Sequence, residues 1–130
     1  MPDPQDPATF ARSKLNWSER ALPLHAEMLD WYASLIRLRK ATPELAAGAA
    51  CATEICEDEG GRWLTMRRGP ILVALNIAGE PALLETPSGD AGCWTLALTS
   101  DPSISLRPRE DGLSLLRLPP DSVAVLRASR

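Results

Sequence analysis

The feature that most constrains the fold is the close spacing of short apolar runs from Ala46 to the end of the chain. These runs are rich in Val, Ile, Leu, Thr and Trp, and residues that favour turns separate them. Closely spaced runs of this kind are typical of an antiparallel sandwich or barrel. We therefore predict a mainly β fold, an antiparallel β-sandwich, with strands near residues 50–56, 62–68, 70–77, 82–86, 93–99, 113–118 and 122–128.

The segments between these runs carry turn signals. Glu57-Asp58-Glu59-Gly60-Gly61 predicts a hairpin loop between the first two strands. Residues 88–92 and Asp101-Pro102-Ser103 separate later strands, and Pro119-Pro120-Asp121 leads into the last one. No segment of about 20–50 residues repeats, so the sequence gives no sign of a solenoid or a propeller.

A single long helix is predicted before the strands. Pro23 suits the first helical position, because its missing N–H has no helical partner to lose there. Thr42-Pro43 predicts the end, since the residue before proline disfavours helical geometry. Between them, spacings of three and four predict an amphipathic helix over 23–41 with one buried face, formed by Leu24, Met28, Trp31, Tyr32, Leu35, Ile36 and Leu38. Residues 1–22 are predicted to be irregular, with helical turns around Ala8–Ser13.

Charge and composition argue against several classes of function. The net charge is −3, whereas an extended nucleic-acid interface needs a basic face. The longest apolar stretch, Ile71–Leu75, is the length of a strand and too short for a membrane helix. The first residues have neither the basic region nor the apolar core of a signal peptide, so the cytoplasm is the expected compartment. Neither nucleic acid nor membrane is therefore expected as a partner.

Residues that bind metals or cofactors are sparse. Cys51, Cys56 and Cys93 have no Cys-x-x-Cys spacing, so they predict neither a disulfide framework nor a zinc site. We expect them to be buried or half-buried thiols. His25, the single histidine, falls in the first turn of the helix and is expected to be solvated or capping. We predict no metal site and no cofactor.

Acidic residues could indicate a glycosidase site, because glycosidases work with a pair of carboxylates. Glu57, Asp58 and Glu59 are consecutive at a hairpin tip and are expected to be solvated. The other candidates have no surroundings that would raise a carboxyl pKa; they are Asp3 and Asp6 in the N-terminal segment, and Glu27 and Asp30 on the helix. No catalytic residue is predicted.

The four tryptophans allow two interpretations, a sugar-stacking platform or core packing. Trp31 lies on the apolar stripe of the helix, and Trp63 and Trp94 lie inside predicted strands, which favours core packing for all three. Trp17 precedes the helix in irregular chain, and its role stays open. Arg67-Arg68 is interpreted as paired surface charge.

The sequence resembles a known enzyme family along its whole length. Residues 2–10, Pro-Asp-Pro-Gln-Asp-Pro-Ala-Thr-Phe, with Ser-Lys-Leu-Asn-Trp at 13–17, are similar to a run after the last barrel strand of malto-oligosyltrehalose trehalohydrolases. The helix, followed by Pro43-Glu44-Leu45 and Gly48, resembles the final barrel helix of glycoside hydrolase family 13, the α-amylase superfamily. The family's C-terminal β domain has strands similar to Trp63-Leu64, Arg68-Gly69 and the runs 72–76 and 118–126.

The resemblance implies a domain organisation and a parent activity. Residues 1–44 are expected to be the tail of a missing (β/α)₈ barrel, a loop plus the last helix at 23–41, and residues 45–130 the C-terminal all-β domain. Such enzymes hydrolyse the α-1,4 bond next to the terminal trehalose unit of maltooligosyl trehalose and release trehalose. Their catalytic Asp and Glu residues lie on the barrel. This chain is therefore predicted to be inactive alone, with the missing barrel as its partner.

Two functional hypotheses follow. As a piece of the hydrolase, the chain would place Asp3, Gln5 and Asp6 near sugar hydroxyls in the parent. It would also expose an apolar helix face around Met28, Trp31 and Leu35, or cover it by self-association. As a free-standing module for carbohydrate binding or protein interaction, with maltooligosaccharide as a ligand, it would bury that face and display aromatic residues on a sheet.

Overall fold

The structure, a computed structural model, describes residues 3–46, 48, 52–87 and 93–129. The chain divides into two compact units, residues 1–36 and residues 37–130. The first is helical, and the second contains all the strands described. Together they form the predicted fold class, a mainly β chain with a long helix ahead of its strands.

The helical elements begin at residues that favour helix starts. They are α1 (Pro7–Ser13), a 3₁₀ helix (Trp17–Ala21), α2 (Pro23–Ala41) and α3 (Pro43–Ala46). α2 has the predicted bounds. The segment before it is less irregular than predicted, because Asp6 caps α1 by accepting a hydrogen bond of 2.8 Å from the Ala8 amide. Asn16 caps the 3₁₀ helix through the Ser18 amide, at 3.3 Å.

The strands form two antiparallel sheets, one of five strands in the order β1-β2-β3-β8-β5 and one of three in the order β4-β7-β6. Their bounds are β1 Thr53–Glu57, β2 Trp63–Arg68, β3 Ile71–Asn76, β4 Ala82–Glu85, β5 Trp94–Thr99, β6 Ser105–Pro108, β7 Ser114–Leu118 and β8 Ser122–Ala128. Seven of these lie where strands were predicted. The predicted turn at 88–92 lies outside the described residues.

One strand, β6, was not predicted from the sequence. It has only four residues, includes Arg107 and ends at Pro108, so its apolar pattern is weak. It pairs with β7 alone and therefore forms an edge of the smaller sheet. Proline is tolerated at a sheet edge, because no neighbouring strand needs its missing N–H.

The predicted hairpin joins β1 to β2. Thr53 pairs with Arg68 at one end, and Glu57 pairs with Leu64 at the other. The Gly61 amide donates a 2.8 Å hydrogen bond to the Asp58 carbonyl, and Gly61 has a φ of 63°, a conformation that a residue with a side chain rarely adopts.

The core of the second unit lies between the two sheets. β3 and β8 place Leu72 opposite Leu126 and Ala74 opposite Ala124, and all four are buried. From the smaller sheet, buried leucines complete the same cluster, namely Leu84, Leu116 and Leu118. Burying each large aliphatic side chain stabilises the fold by about 1.5–3 kcal/mol.

The tryptophans differ in burial. Trp94 is buried and donates a 3.0 Å hydrogen bond from Nε1 to the Pro87 carbonyl, as core packing predicts. Trp63 and Trp31 are half-buried, and Trp63 also packs against the core cluster. Trp17 is exposed.

The interpretation of Arg67-Arg68 as paired surface charge is wrong in part, because both side chains are half-buried. The Arg67 guanidinium carbon lies 6.0 Å from the centre of the Trp94 ring. Nη2 of Arg68 donates a hydrogen bond to the Gly48 carbonyl. The aliphatic stems of arginines can cover apolar surface in this way while their heads find partners.

The expectation for the cysteines is also wrong for the two that are described. Cys56 and Cys93 are both exposed free thiols. Cys56 lies on β1, an edge strand whose five residues are all exposed. Cys93 comes directly before β5, whereas Cys51 lies outside the described residues.

Candidate docking surface

The residues expected near sugar in the parent lie in the exposed N-terminal segment. Oδ1 of Asp3 accepts a 2.9 Å hydrogen bond from the Gln5 amide, and Asp6 caps α1. Both carboxylates therefore organise their own backbone. Asp3, Gln5 and Asp6 are sequence neighbours and are all exposed. Their proximity to sugar stays a prediction.

An ion pair between Asp58 and Arg62 lies in the acidic turn of the β1–β2 hairpin. Asp58 and Arg62 form two hydrogen bonds, Nε to Oδ2 at 2.6 Å and Nη2 to Oδ1 at 3.4 Å. These bonds lower the pKa of Asp58 below its usual range, against an opposing effect of desolvation. Glu57 and Glu59 are exposed, as predicted. A general acid needs the opposite shift, a raised carboxyl pKa.

Helix α2 presents an uncovered apolar face. Leu24, Met28, Tyr32 and Ile36 follow one another at intervals of four, which places them in one row on a helix. Their side chains are between 53% and 73% exposed, and α2 has no buried residue. We call this row, together with Trp17 and Leu29, the N-terminal apolar surface.

The rest of the apolar stripe is only half-buried. Trp31, Leu35 and Leu38 lie on the neighbouring row of α2 and are partly exposed. The exposed patch predicted around Met28, Trp31 and Leu35 is therefore displaced toward Tyr32 and Ile36. The prediction of a single buried face is wrong, because no residue of α2 is buried. The spacing of apolar residues indicates which face of a helix is suited to burial, but it does not show whether another surface covers that face.

A shallow depression extends this surface from the helix to the segment before it. Its volume is about 270 Å³, and Trp17, His25 and Leu29 are among the residues that line it. Trp17 is 72% exposed. His25 is exposed, as expected for a solvated histidine. The role of Trp17 was not predicted from the sequence, although its position shortly before the apolar stripe of α2 is a signal for it.

This surface is suited to binding another protein surface. Contiguous apolar side chains that are more than half exposed to solvent mark interaction sites. Among the residues that the structure describes, no group of three or more His, Cys, Asp and Glu side chains could hold a metal ion. No helix in the described part of the chain has both the length and the apolar character needed to cross a membrane.

The chain is similar to a known domain family and to several curated enzymes. A family model described as a domain of unknown function, DUF3459, matches residues 48–125. The malto-oligosyltrehalose trehalohydrolase of Rhizobium sp. (strain M-11) is 46% identical over 127 residues, covering 98% of this chain and 20% of that protein. The enzyme of the same name from Brevibacterium helvolum is 40% identical over 128 residues, again covering 98% of this chain and 20% of that protein. The chain thus spans about one fifth of the length of these relatives.

A solved structure has a similar fold. The α-amylase from H. orenii matches with a TM-score of 0.64 at 21% identity, covering 96% of this chain and 25% of that chain. This likeness confirms the predicted fold class, an α-amylase-type β domain preceded by a helix. The curated relatives confirm the resemblance that the sequence motifs predicted.

Proposed function

Because this chain belongs to the DUF3459 domain family, we propose that it is the non-catalytic C-terminal portion of an α-glucan-processing glycoside hydrolase. Residues 1–44 complete the catalytic barrel, and residues 45–130 form the appended β domain. The whole enzyme releases trehalose from maltooligosyl trehalose by hydrolysis of an α-1,4 bond. The names and lengths of the curated relatives support this proposal, and a cytoplasmic location stays a prediction.

The observation that carries the proposal is the N-terminal apolar surface. Met28, Tyr32 and Ile36 are each more than half exposed, although they belong to a regular helix. Covering a large apolar side chain stabilises a structure by about 1.5–3 kcal/mol when burial is complete. The proposed partner is the remaining barrel, whose outer helices would cover this row. Within one chain, the contact would not incur the loss of translational freedom that accompanies association of separate molecules.

Catalysis in the proposed enzyme belongs to the barrel. Glycoside hydrolysis needs an acid with a raised pKa and a second carboxylate close to it. Asp58 has a close cationic partner in Arg62, and its pKa is shifted from the usual range. Its shift is downward, which supports a structural role.

The alternative of a free-standing carbohydrate-binding or interaction module has weaker support. A binding platform on a sheet face needs exposed aromatic residues. The second unit, residues 37–130 and called the β unit below, contains two aromatic residues, Trp63 and Trp94. Trp94 is buried and Trp63 is half-buried, so neither stands clear of a sheet face as a stacking platform would need. The exposed apolar row on α2 is the arrangement that we expect of a chain separated from a larger partner.

A chimeric enzyme tests the proposal. The matching segment of the Rhizobium relative is replaced by this chain, and trehalose release and melting temperature are measured. We expect an active chimera. Tyr32→Lys should lower its melting temperature by at least about 2 °C, whereas Leu83→Lys should not. Leu83 is a matched control, because it is 64% exposed compared with 59% for Tyr32. Equal melting temperatures for the chimera and its Tyr32→Lys variant would contradict docking of this face.

A further inference from the structure

A second surface feature lies in the β unit, where the chain passes from β3 to β4. A cavity of about 770 Å³ opens there to solvent. Arg62 and Trp63 line it at the start of β2, Asn76 at the end of β3, and Gly79 and Glu80 in the connection between β3 and β4. Its volume is within the range of small-molecule sites, about 300–1,000 Å³.

The floor of this cavity is fixed by a buried amide. Nδ2 of Asn76 donates hydrogen bonds to the carbonyl oxygens of Glu80 at 2.9 Å and Pro119 at 2.8 Å. Its Oδ1 accepts a 3.1 Å hydrogen bond from the Ala78 amide. The backbone around the cavity is therefore held in place before any ligand arrives, which lowers the entropic cost of binding.

The walls combine an aromatic surface with donors and acceptors. Trp63 packs against the core and also lines the cavity. Asp58 holds the Arg62 guanidinium through Nε and Nη2, so Nη1 makes no bond to that carboxylate. Glu80 adds an exposed carboxylate close enough to interact electrostatically with Arg62.

The charges disfavour an anionic ligand. Asp58 compensates the positive charge of Arg62, and Glu80 leaves a net negative charge at the rim. A ligand that offers neutral hydroxyl groups would satisfy the donors of Arg62 and the acceptors of Glu80. A pyranose ring also presents C–H groups that pack against an aromatic side chain.

We propose that this cavity binds a neutral pyranose sugar, with Trp63 as the apolar contact and with Arg62 and Glu80 as hydrogen-bond partners of its hydroxyl groups. The site follows from the geometry of the β unit. Only the choice of an α-1,4-glucan as the ligand rests on the proposed function. The N-terminal apolar surface shares no residue with this cavity, so failure of one proposal would leave the other standing.

The test is a titration of the whole chain with maltotetraose, followed by NMR. We expect saturable shifts of the Trp63 indole and the Gly79 amide up to about 10 mM, the range that detects a millimolar site. The buried Trp94 indole should move less. Glu80→Gln should weaken binding about tenfold, the effect of losing a hydrogen bond to a charged group. Glu110→Gln is the control, because Glu110 is an exposed acid outside the cavity.

Several results would overturn the proposal. One is the absence of saturation, and another is an equal response to glycerol at the same concentration. A third is unchanged affinity in both Glu80→Gln and Arg62→Gln. These variants alter exposed side chains and avoid Trp63, whose replacement would disturb the core, so circular dichroism should show an unchanged fold.

Discussion

Asn76 donates a hydrogen bond of 2.8 Å from its side-chain amide to the carbonyl oxygen of Pro119, 43 positions further along the chain. Asn76 is fully buried at the end of β3, and Pro119 directly follows β7. β3 belongs to the larger sheet and β7 to the smaller one, so this bond joins the two layers of the sandwich where the chain crosses between them.

Removal of this amide should destabilise the β unit. Asn76→Ala would leave the Glu80 and Pro119 carbonyls without their donor, and a buried polar group without a partner costs about 1–3 kcal/mol. We expect urea unfolding to show a loss of at least about 2 kcal/mol in the free energy of unfolding. Asn76→Asp should also destabilise, because it removes the donor and keeps the shape. Ile77→Ala, at an exposed neighbour, is the control.

The Asp58–Arg62 pair should make stability depend on pH in the acid range. Because Asp58 has a lowered pKa in the folded chain, the unfolded chain binds the proton first as the pH falls. The contribution of the ion pair to stability is fully present above the ordinary aspartate pKa, about 3.9. It is lost as the pH falls through the lowered pKa that Asp58 has in the folded chain. The difference in free energy of unfolding between the unsubstituted chain and its Asp58→Asn variant should therefore shrink on acidification. A difference that stays constant from neutral pH to about pH 2 would contradict this.

Substitutions in the core of the sandwich should lower the free energy of unfolding much more than substitutions at its surface. Leu126 is fully buried on β8, so Leu126→Ala should reduce the free energy of unfolding by about 2–5 kcal/mol. Leu83→Ala, at a 64% exposed position, should change it by less than about 0.5 kcal/mol. Equilibrium denaturation measures both, and similar losses for the two variants would contradict the register described.

The isolated chain should self-associate through the N-terminal apolar surface. Tyr32→Lys introduces a charge into the exposed row on α2 and should lower the average mass measured by sedimentation at high protein concentration. Leu83→Lys should leave that mass unchanged. An isolated chain that is monomeric at every concentration, with or without Tyr32→Lys, would contradict the prediction.

Local patterns predicted most of the fold. Pro23 and Thr42-Pro43 define α2, and apolar runs with turn residues between them define seven strands. β6 was not predicted, because a short edge strand needs little apolar pattern and tolerates a proline such as Pro108. The failures at Cys56, Cys93 and Arg67 concern burial, which depends on where an element lies in the sheet and not on residue type.

The surfaces were harder to predict than the elements. Periodicity identified the apolar residues of α2, but exposure of Met28 and Tyr32 depends on which partner is present. The cavity beside Trp63 could not be predicted from the sequence, because it forms only when the hairpin end at Arg62 meets the connection at Glu80. Local sequence contains no signal for a contact between segments that are so far apart.

The most direct test of the central claim is oxidative footprinting of Met28. The rate of methionine oxidation is compared in the isolated chain and in the chimera with the Rhizobium relative. Met28 is 54% exposed in the isolated chain. At a protein concentration low enough to keep that chain monomeric, we predict fast oxidation there and slow oxidation in the chimera, where the barrel would cover the helix face. Equal rates in the isolated chain and in a folded, active chimera would show that this face stays open to solvent, and would contradict the account.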